Sequence, residues 1–367
     1  MEEKQARYVG IDLGKRTMEV RIIDGEKTRK WNGRTDAVSR RGLYSRLSKH
    51  DIVALEACSL AFVIAREIIT EVGAEPIVLN PRKLAIIYQT TKKTDSEDAM
   101  KLARLVQRYP KEELAVVPLP SEKEQDERAL VHEKGFMAEE RIRFVNRLHS
   151  IFVRQGITTL KKADLSTSKS REKSIKLLEG RCLQEAERCA EVIDIFEQKL
   201  GILAEEQREA LRDNELTPHV MSVPGVGPDT ALAFLAFIGD GSRFTNPGEV
   251  SNYIGLVPRV DISGDIVHYG HIIKKHGCTA IRRVLVQAAW ALVRSSSGGV
   301  LAAKYQELRS RRGGGVAIVA IARRLGELMW TLIRRRDHYW YFNQEKLTKK
   351  LKIYKLEKKL EKGRSTA

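Results

Sequence analysis

Residues 8–24 read YVGIDLGKRTMEVRIID, and the fold turns on how this stretch is parsed. Tyr8, Val9 and Ile11 are strand formers, Gly14 permits a reversal, and Val20, Ile22 and Ile23 resume the apolar pattern. The stretch is therefore a buried strand, a tight turn and a second strand. Asp12 stands at the end of the first strand. A carboxylate there costs several kcal/mol unless it is paired or holds a metal. The question is what Asp12 binds, and which other acids join it.

Outward from this hairpin, strands and helices alternate to about residue 115. Lys27–Trp31 is a candidate third strand. Asp36 to Leu47 reads as a helix with Val38, Leu43 and Leu47 on one side. Residues 52–56 (IVALE) form a second apolar strand that ends on a carboxylate, Glu56. Phe62 to Val72 reads as a helix, and residues 75–80 (EPIVLN) as a strand stopped by Pro81. In 92–108 (KKTDSEDAMKLARLVQR), Asp95 and Asp98 sit three apart at a helix start and so share a face. This order predicts a ribonuclease-H-like (RuvC-like) α/β fold, in which Asp12, Glu56, Asp95 and Asp98 converge. Each acid alone fits a turn or cap equally well; the four in this order carry the reading. Four carboxylates in one small site need compensating cations. Oxygen-only ligands favour Mg²⁺ or Mn²⁺, and a pair of such ions clamps the attacking and leaving oxygens of a phosphodiester. A D-x-G turn with a hairpin also opens actin-like ATPases, but no convincing second D-x-G turn or adenosine site follows.

The chain has 367 residues, 42% of them hydrophobic, which is material for two or three cores. Its 65 Lys and Arg against 48 acids leave +17, an excess suited to a polyanionic nucleic acid. Cys58, Cys182, Cys189 and Cys278 are scattered without a C-x-x-C spacing, which predicts reduced, buried thiols. The start, MEEKQARY, lacks a signal-peptide pattern, and the apolar runs fall short of the roughly 18 residues of a membrane span. A cytoplasmic protein with no membrane partner is expected.

From about 116 to 215 glycine is rare and charge dense. Ile142, Val145, Leu148 and Ile151/Phe152 form one helical stripe. After a polar break at 161–174, Cys182, Ala186, Cys189, Ile193, Phe196, Leu200 and Leu203 alternate spacings of four and three. Such a heptad seam fits either an oligomerising coiled coil or a helical hairpin packed on itself. In 216–335, the stretch SVPGVGPDTALAFLAFIGD resembles a helix–hairpin–helix, with Gly225 and Gly227 in a turn whose amides can face a DNA phosphate. A loop rich in Gly, Ser and His follows and contains Ser263. Around it lie Arg259, His268, His271, Lys274, Lys275, Arg282 and Arg283, candidate phosphate contacts. A serine needs such cations to act as a nucleophile on a phosphate; by composition alone a loop serine is as readily structural. Residues 336–367 form a basic tail, either a nucleic-acid clamp or a solvated segment.

The segments YVGIDLGK, ALEACS, LNPRK, KKTDSEDAMKLA, VPGVGPDTALAFLAFIGDGSRF, YIGLVPRVDISGD, IIKKHG and IRRVL occur in this order. Together they resemble the DEDD transposases of the insertion sequence 110 family, the bridge-RNA-guided recombinases. The resemblance implies that Asp12, Glu56, Asp95 and Asp98 in domain 1–115 bind metal, and that Ser263 in domain 216–335 is the nucleophile. It implies a covalent phosphoserine–DNA intermediate, donor and target DNA, a structured non-coding guide RNA, and a prokaryotic, nucleoid-associated setting. It also implies a tetramer, a dimer of dimers, built through the coiled-coil segment 116–215, with the acids of one protomer beside the serine of another. Two rivals remain. In a RuvC-like junction endonuclease that uses water, Ser263 is dispensable. In an inactive nucleic-acid-binding scaffold, all five residues are.

Overall fold

Strand β1 (Tyr8–Leu13) lies at the centre of a five-stranded sheet, between β2 (Thr17–Asp24) and β4 (Ile52–Glu56). The computed structural model describes residues 6–81, 95–263, 266–272, 277–340 and 343–357. The sheet order is β3-β2-β1-β4-β5, with β3 at Lys27–Arg34 and β5 at Glu75–Leu79. The first three strands form an antiparallel meander, whereas β4 and β5 run parallel to β1. This sheet belongs to one compact unit, residues 1–121; residues 122–367 form the other.

Side-chain alternation gives the sheet two faces. Val9, Ile11, Val20, Ile22, Val53 and Leu55 meet α1 (Ala37–Tyr44) and α2 (Ala61–Glu67) on one of them. Tyr8, Ile52, Ala54 and Ile77 meet α3 (Asp95–Arg108) on the other, through Leu102, Leu105 and Val106. Asp36 caps α1 by accepting the Ser39 amide at 2.9 Å. The single helix expected over 62–72 is instead α2 followed by one π-helical segment, Ile68–Val72, ended by left-handed Gly73. Cys58 corrects the expectation of buried thiols. It is exposed in the turn that leaves β4, and only Cys189 of the four is buried.

In the second unit, α4 (Glu122–Arg154) and α6 (Gly180–Arg212) are 33 residues each, roughly 50 Å long. They run antiparallel, with Arg141 bonded to Glu197 and Arg147 to Glu185. Ala186, Cys189 and Ile193 of the heptad seam are buried against Leu148, Ile151 and Phe152 of the same chain. Of the two arrangements open from the sequence, this half of the seam takes the intrachain hairpin. The stripe on α4 supplies an apolar partner at far higher effective concentration than a second copy can.

The polar break at 161–174 is also structured. It carries α5 (Ser168–Ile175), whose Arg171 is 1% exposed and bonds Glu197 (2.7 Å), Asp194 and the Leu165 carbonyl. The guanidinium is buried, whereas Asp194 and Glu197 are partly exposed and Glu197 keeps Arg141. Arg171→Ala therefore removes buried packing and charge-assisted hydrogen bonds and is expected to lower unfolding stability by about 1–3 kcal/mol, read as a shift in the thermal or denaturant midpoint.

The remainder packs on one large core: α7 (Thr217–Met221), α8 (Pro228–Ile238), α9 (Pro247–Ile254), α10 (Thr279–Arg294), α11 (Gly299–Arg312), α12 (Gly314–Arg335) and α13 (Gln344–Ile353). Between α9 and α10, the segment expected to be a loop is a β-hairpin, β6 (Pro258–Ser263) and β7 (Ile266–Ile272). Its β-branched residues favour strands, and Ser263 pairs with Ile266 in the antiparallel register.

Candidate functional site

The acid edge is built by strand register. Ile11 pairs with Leu55, so Asp12 and Glu56 are the next residues on two adjacent parallel strands. Period-two alternation puts Asp12 on the face of Tyr8 and Gly10, and Glu56 on the face of Ile52 and Ala54. Both therefore share the face covered by α3. Helix α3 reaches that face because Gly10 has no side chain. A Cβ there would lie 1.9 Å from the Ala99 carbonyl oxygen and 2.5 Å from the Ala103 amide nitrogen. That contact holds the first turns of α3, with Asp95 and Asp98, against the strand that ends at Asp12.

A second tie comes from β2. Arg21 pairs with Gly10 and donates to Ser96, between the two helix acids. The register thus draws Asp12, Glu56 and the start of α3 to one edge of one face. Asp98 is half-buried and accepts from Lys101 Nζ at 2.6 Å. The Asp95 side chain lies outside the described residues, and among the described residues no group of three acids closes into a metal cage.

Two residues at this edge escaped the sequence reading. Glu19 is the cross-strand partner of Asp12 and so shares its face. Its Oε2 is shielded from solvent with no hydrogen-bond partner among the described residues, and Lys30 Nζ is 3.8 Å away. The hairpin register, counted from the turn at Gly14, would have found it. Lys101 is the other. Its spacing of i+3 from Asp98 on a helix was legible as an ion pair. An under-compensated carboxylate beside Asp12 and Glu56 is a donor set that fits a hard cation.

In the second unit, Ser263 ends β6 and pairs with Ile266, the first residue of β7. The hairpin springs from a pinched base. Gly277 (φ +76°) would place a Cβ 2.4 Å from the Gly255 amide nitrogen, and the Cys278 amide donates to the Tyr253 carbonyl at 3.0 Å. Arg259, His268 and His271 lie on the two strands, His268 opposite Asp261; their side chains are outside the described residues, as are Lys274 and Lys275 altogether. On α10, Arg283 pairs with Glu139 of α4, and Arg282 Nη1 approaches the Gly255 carbonyl at 3.5 Å.

The glycine turn precedes α8. Gly225 (φ +80°) presses its Cα on α10, where a Cβ would meet the Ala288 oxygen at 2.4 Å, and Gly227 is the N-cap of α8. Exposed arginines gather at the end of α11, at Arg309, Arg311 and Arg312. No helix among the described residues is long and apolar enough to cross a membrane.

An acid edge on an α/β sheet, with a serine hairpin and a glycine turn in a basic helical unit, is an assembly suited to DNA strand chemistry. Two transposase family models match the chain. Residues 9–155, which hold all four acids, match the IS110 DEDD transposase model. Residues 217–306, which hold the glycine turn and Ser263, match the transposase IS116/IS110/IS902 family. A probable family 20 transposase of Pseudomonas aeruginosa is 24% identical over 90% of this chain and 98% of its own length. The transposase for insertion sequence element IS1111A of Coxiella burnetii is 26% identical over 92% of each chain. That for element IS1328 of Yersinia enterocolitica is 24% identical over 88% of this chain and 96% of its own. The chain belongs to the IS110/IS116/IS902 family of insertion-sequence transposases.

Proposed function

We propose that this transposase breaks and rejoins DNA through a covalent serine intermediate, with Asp12, Glu56, Asp95 and Asp98 holding divalent metal and Ser263 as the nucleophile. The observation that carries the acid half is the register that sets Asp12 beside Glu56 on the face where α3 begins. The sheet order, three antiparallel strands and then two parallel ones, supports the ribonuclease-H-like reading. A divalent ion, Mg²⁺ or Mn²⁺, supplies charge neutralisation for the phosphate oxygens and the leaving oxygen when bound.

The residues of the chain do the rest. Ser263 Oγ loses its proton and forms a bond to phosphorus, the bond from phosphorus to the 3′ oxygen breaks, and the 3′ oxygen leaves with a proton. One phosphoester replaces another, so the 3′-hydroxyl of a second strand can reverse the step and free the serine. Cations near the hairpin, among them Arg259, His268, His271, Lys274, Lys275 and Arg282, are candidates to hold the phosphate. The family resemblance adds a structured guide RNA that selects donor and target by base pairing. It also adds an oligomer in which acids and serine come from different protomers. Exposed Phe136 and Ile142 on α4 and Ile195 and Ile202 on α6 are apolar side chains available for such association.

The test expresses the gene with its native flanks and looks for covalent protein–DNA adducts on a denaturing gel. The wild type is expected to give an adduct that Ser263→Ala abolishes. Cleavage without an adduct, unchanged by Ser263→Ala, would instead identify a hydrolytic junction nuclease. Sequencing the RNA that co-purifies tests the guide: a single structured species from the element's flank is expected, and a random sample of cellular RNA would count against it.

A further inference from the structure

A cleft of about 240 Å³ lies beside the glycine turn, between that turn and the C-terminal helix α13. Pro224 and Gly225 form one wall, Ser295 and Ser297 another, and Lys346 and Lys350 the third. Among the described residues no carboxylate lines it. Helix α13 is docked there rather than trailing in solvent. Leu347 is 5% exposed in the main core, Leu351 packs beside it, Asn343 caps the helix at the Lys346 amide (2.9 Å), and Arg212 Nε holds the Lys355 carbonyl at 2.8 Å. The tail that sequence left between clamp and solvated segment thus carries a docked helix at Gln344–Ile353; residues 341–342 and 358–367 lie outside the described residues.

Lys346 and Lys350 are four apart and so share a helix face. Lys350 Nζ donates to the carbonyls of Met221 (2.6 Å) and Val223 (3.0 Å), immediately before the turn. It ties α13 to the turn and keeps a third N–H. Burial depresses its pKa to about 8, a cost that a neighbouring anion would offset. Lys346 is exposed at the mouth. The volume falls below the ~300–1,000 Å³ of pockets for organic ligands. It suits a phosphate group of a polymer whose sugars and bases stay outside.

We propose that this cleft is a phosphodiester site for duplex DNA, in which α13 completes the glycine turn. Lys346 makes the contact, and Lys350 positions turn and helix. The proposal rests on DNA being the substrate and is independent of the serine chemistry. Contact of this kind positions the duplex without reading its sequence.

The test measures the affinity of the full-length protein for a labelled duplex of arbitrary sequence over a salt series. Lys346→Ala is compared with Lys352→Ala, which removes the same charge from α13 outside the cleft. Lys346→Ala is expected to weaken binding about 5-fold and to lower the slope of log K against log salt by about 1. Lys352→Ala is expected to change both by much less. Equal effects of the two substitutions would reduce the cleft to bulk charge and overturn the proposal. So would a loss confined to a structured RNA probe, which would assign the site to RNA. A wild type that binds no duplex removes this proposal together with DNA as substrate, whereas a missing adduct with normal duplex binding removes only the serine reading.

Discussion

Asp12→Asn is expected to abolish strand cleavage and adduct formation while leaving the protein folded. Asp12 faces Glu19 across β1–β2 and adjoins Glu56 across β1–β4. Three carboxylates on one strip of sheet repel one another. Asparagine keeps the shape and most of the hydrogen-bonding capacity, so the variant should stay folded and melt close to the wild type. A variant of a residue that held the fold together would melt well below it. If Asp12 holds the ion as proposed, losing it costs several kcal/mol of transition-state stabilisation, roughly a 10³-fold fall in rate. Melting curves with and without Mg²⁺ make the check sharper, because the wild type should gain more stability from the ion than the variant. A variant that melts well below the wild type and cleaves at a normal rate would assign Asp12 to structure alone.

The second large effect is expected at Gly10. Its Cα touches the backbone of α3, not the tip of a side chain, so no rotamer change can relieve an added methyl. Gly10→Ala must push α3 off the sheet, and overpacking of this kind costs about 1–3 kcal/mol, with more expected for Gly10→Val. Displacing the helix also moves Asp95 and Asp98 away from Asp12. Cleavage should therefore fall further than the loss of folded protein accounts for, and denaturant melts run beside cleavage rates on the same samples measure both. Normal cleavage by a folded Gly10→Ala protein would show that the approach of α3 to β1 does not set the acid geometry.

Some of this was legible in the chain. The alternation Tyr8-Val9-Gly10-Ile11 and the apolar IVALE run named their strands, since one buried face imposes a period of two. Asp36 marked the start of its helix, where the structure makes it the cap. The acids could be picked out because a carboxylate ending an apolar strand is costly without a partner. What escaped were contacts whose partners lie far apart in sequence. Glu19 was not singled out in the sequence; the register sets it opposite Asp12. Arg171 looked like part of a polar linker until Asp194 and Glu197 surrounded it. Ser263 was expected in a loop, although β-branched residues on both sides of Ser-Gly-Asp-Ile were a hairpin signal.

By itself, then, the sequence determined the strands and most helices of the sheet unit, the candidate acids at their ends and the basic surplus, because periodicity, turn residues and charge are local properties. The tertiary structure decided which acids share a face, that the heptad seam closes on its own chain at Ala186, Cys189 and Ile193, and that the basic tail folds back on the glycine turn. Each of those depends on strand register or on the close approach of two backbones, as at Gly10 and Gly225. Neither is a property of any single stretch of residues. A shift of one residue in β4 would turn Glu56 to the opposite face and dissolve the acid edge without changing a letter of the sequence.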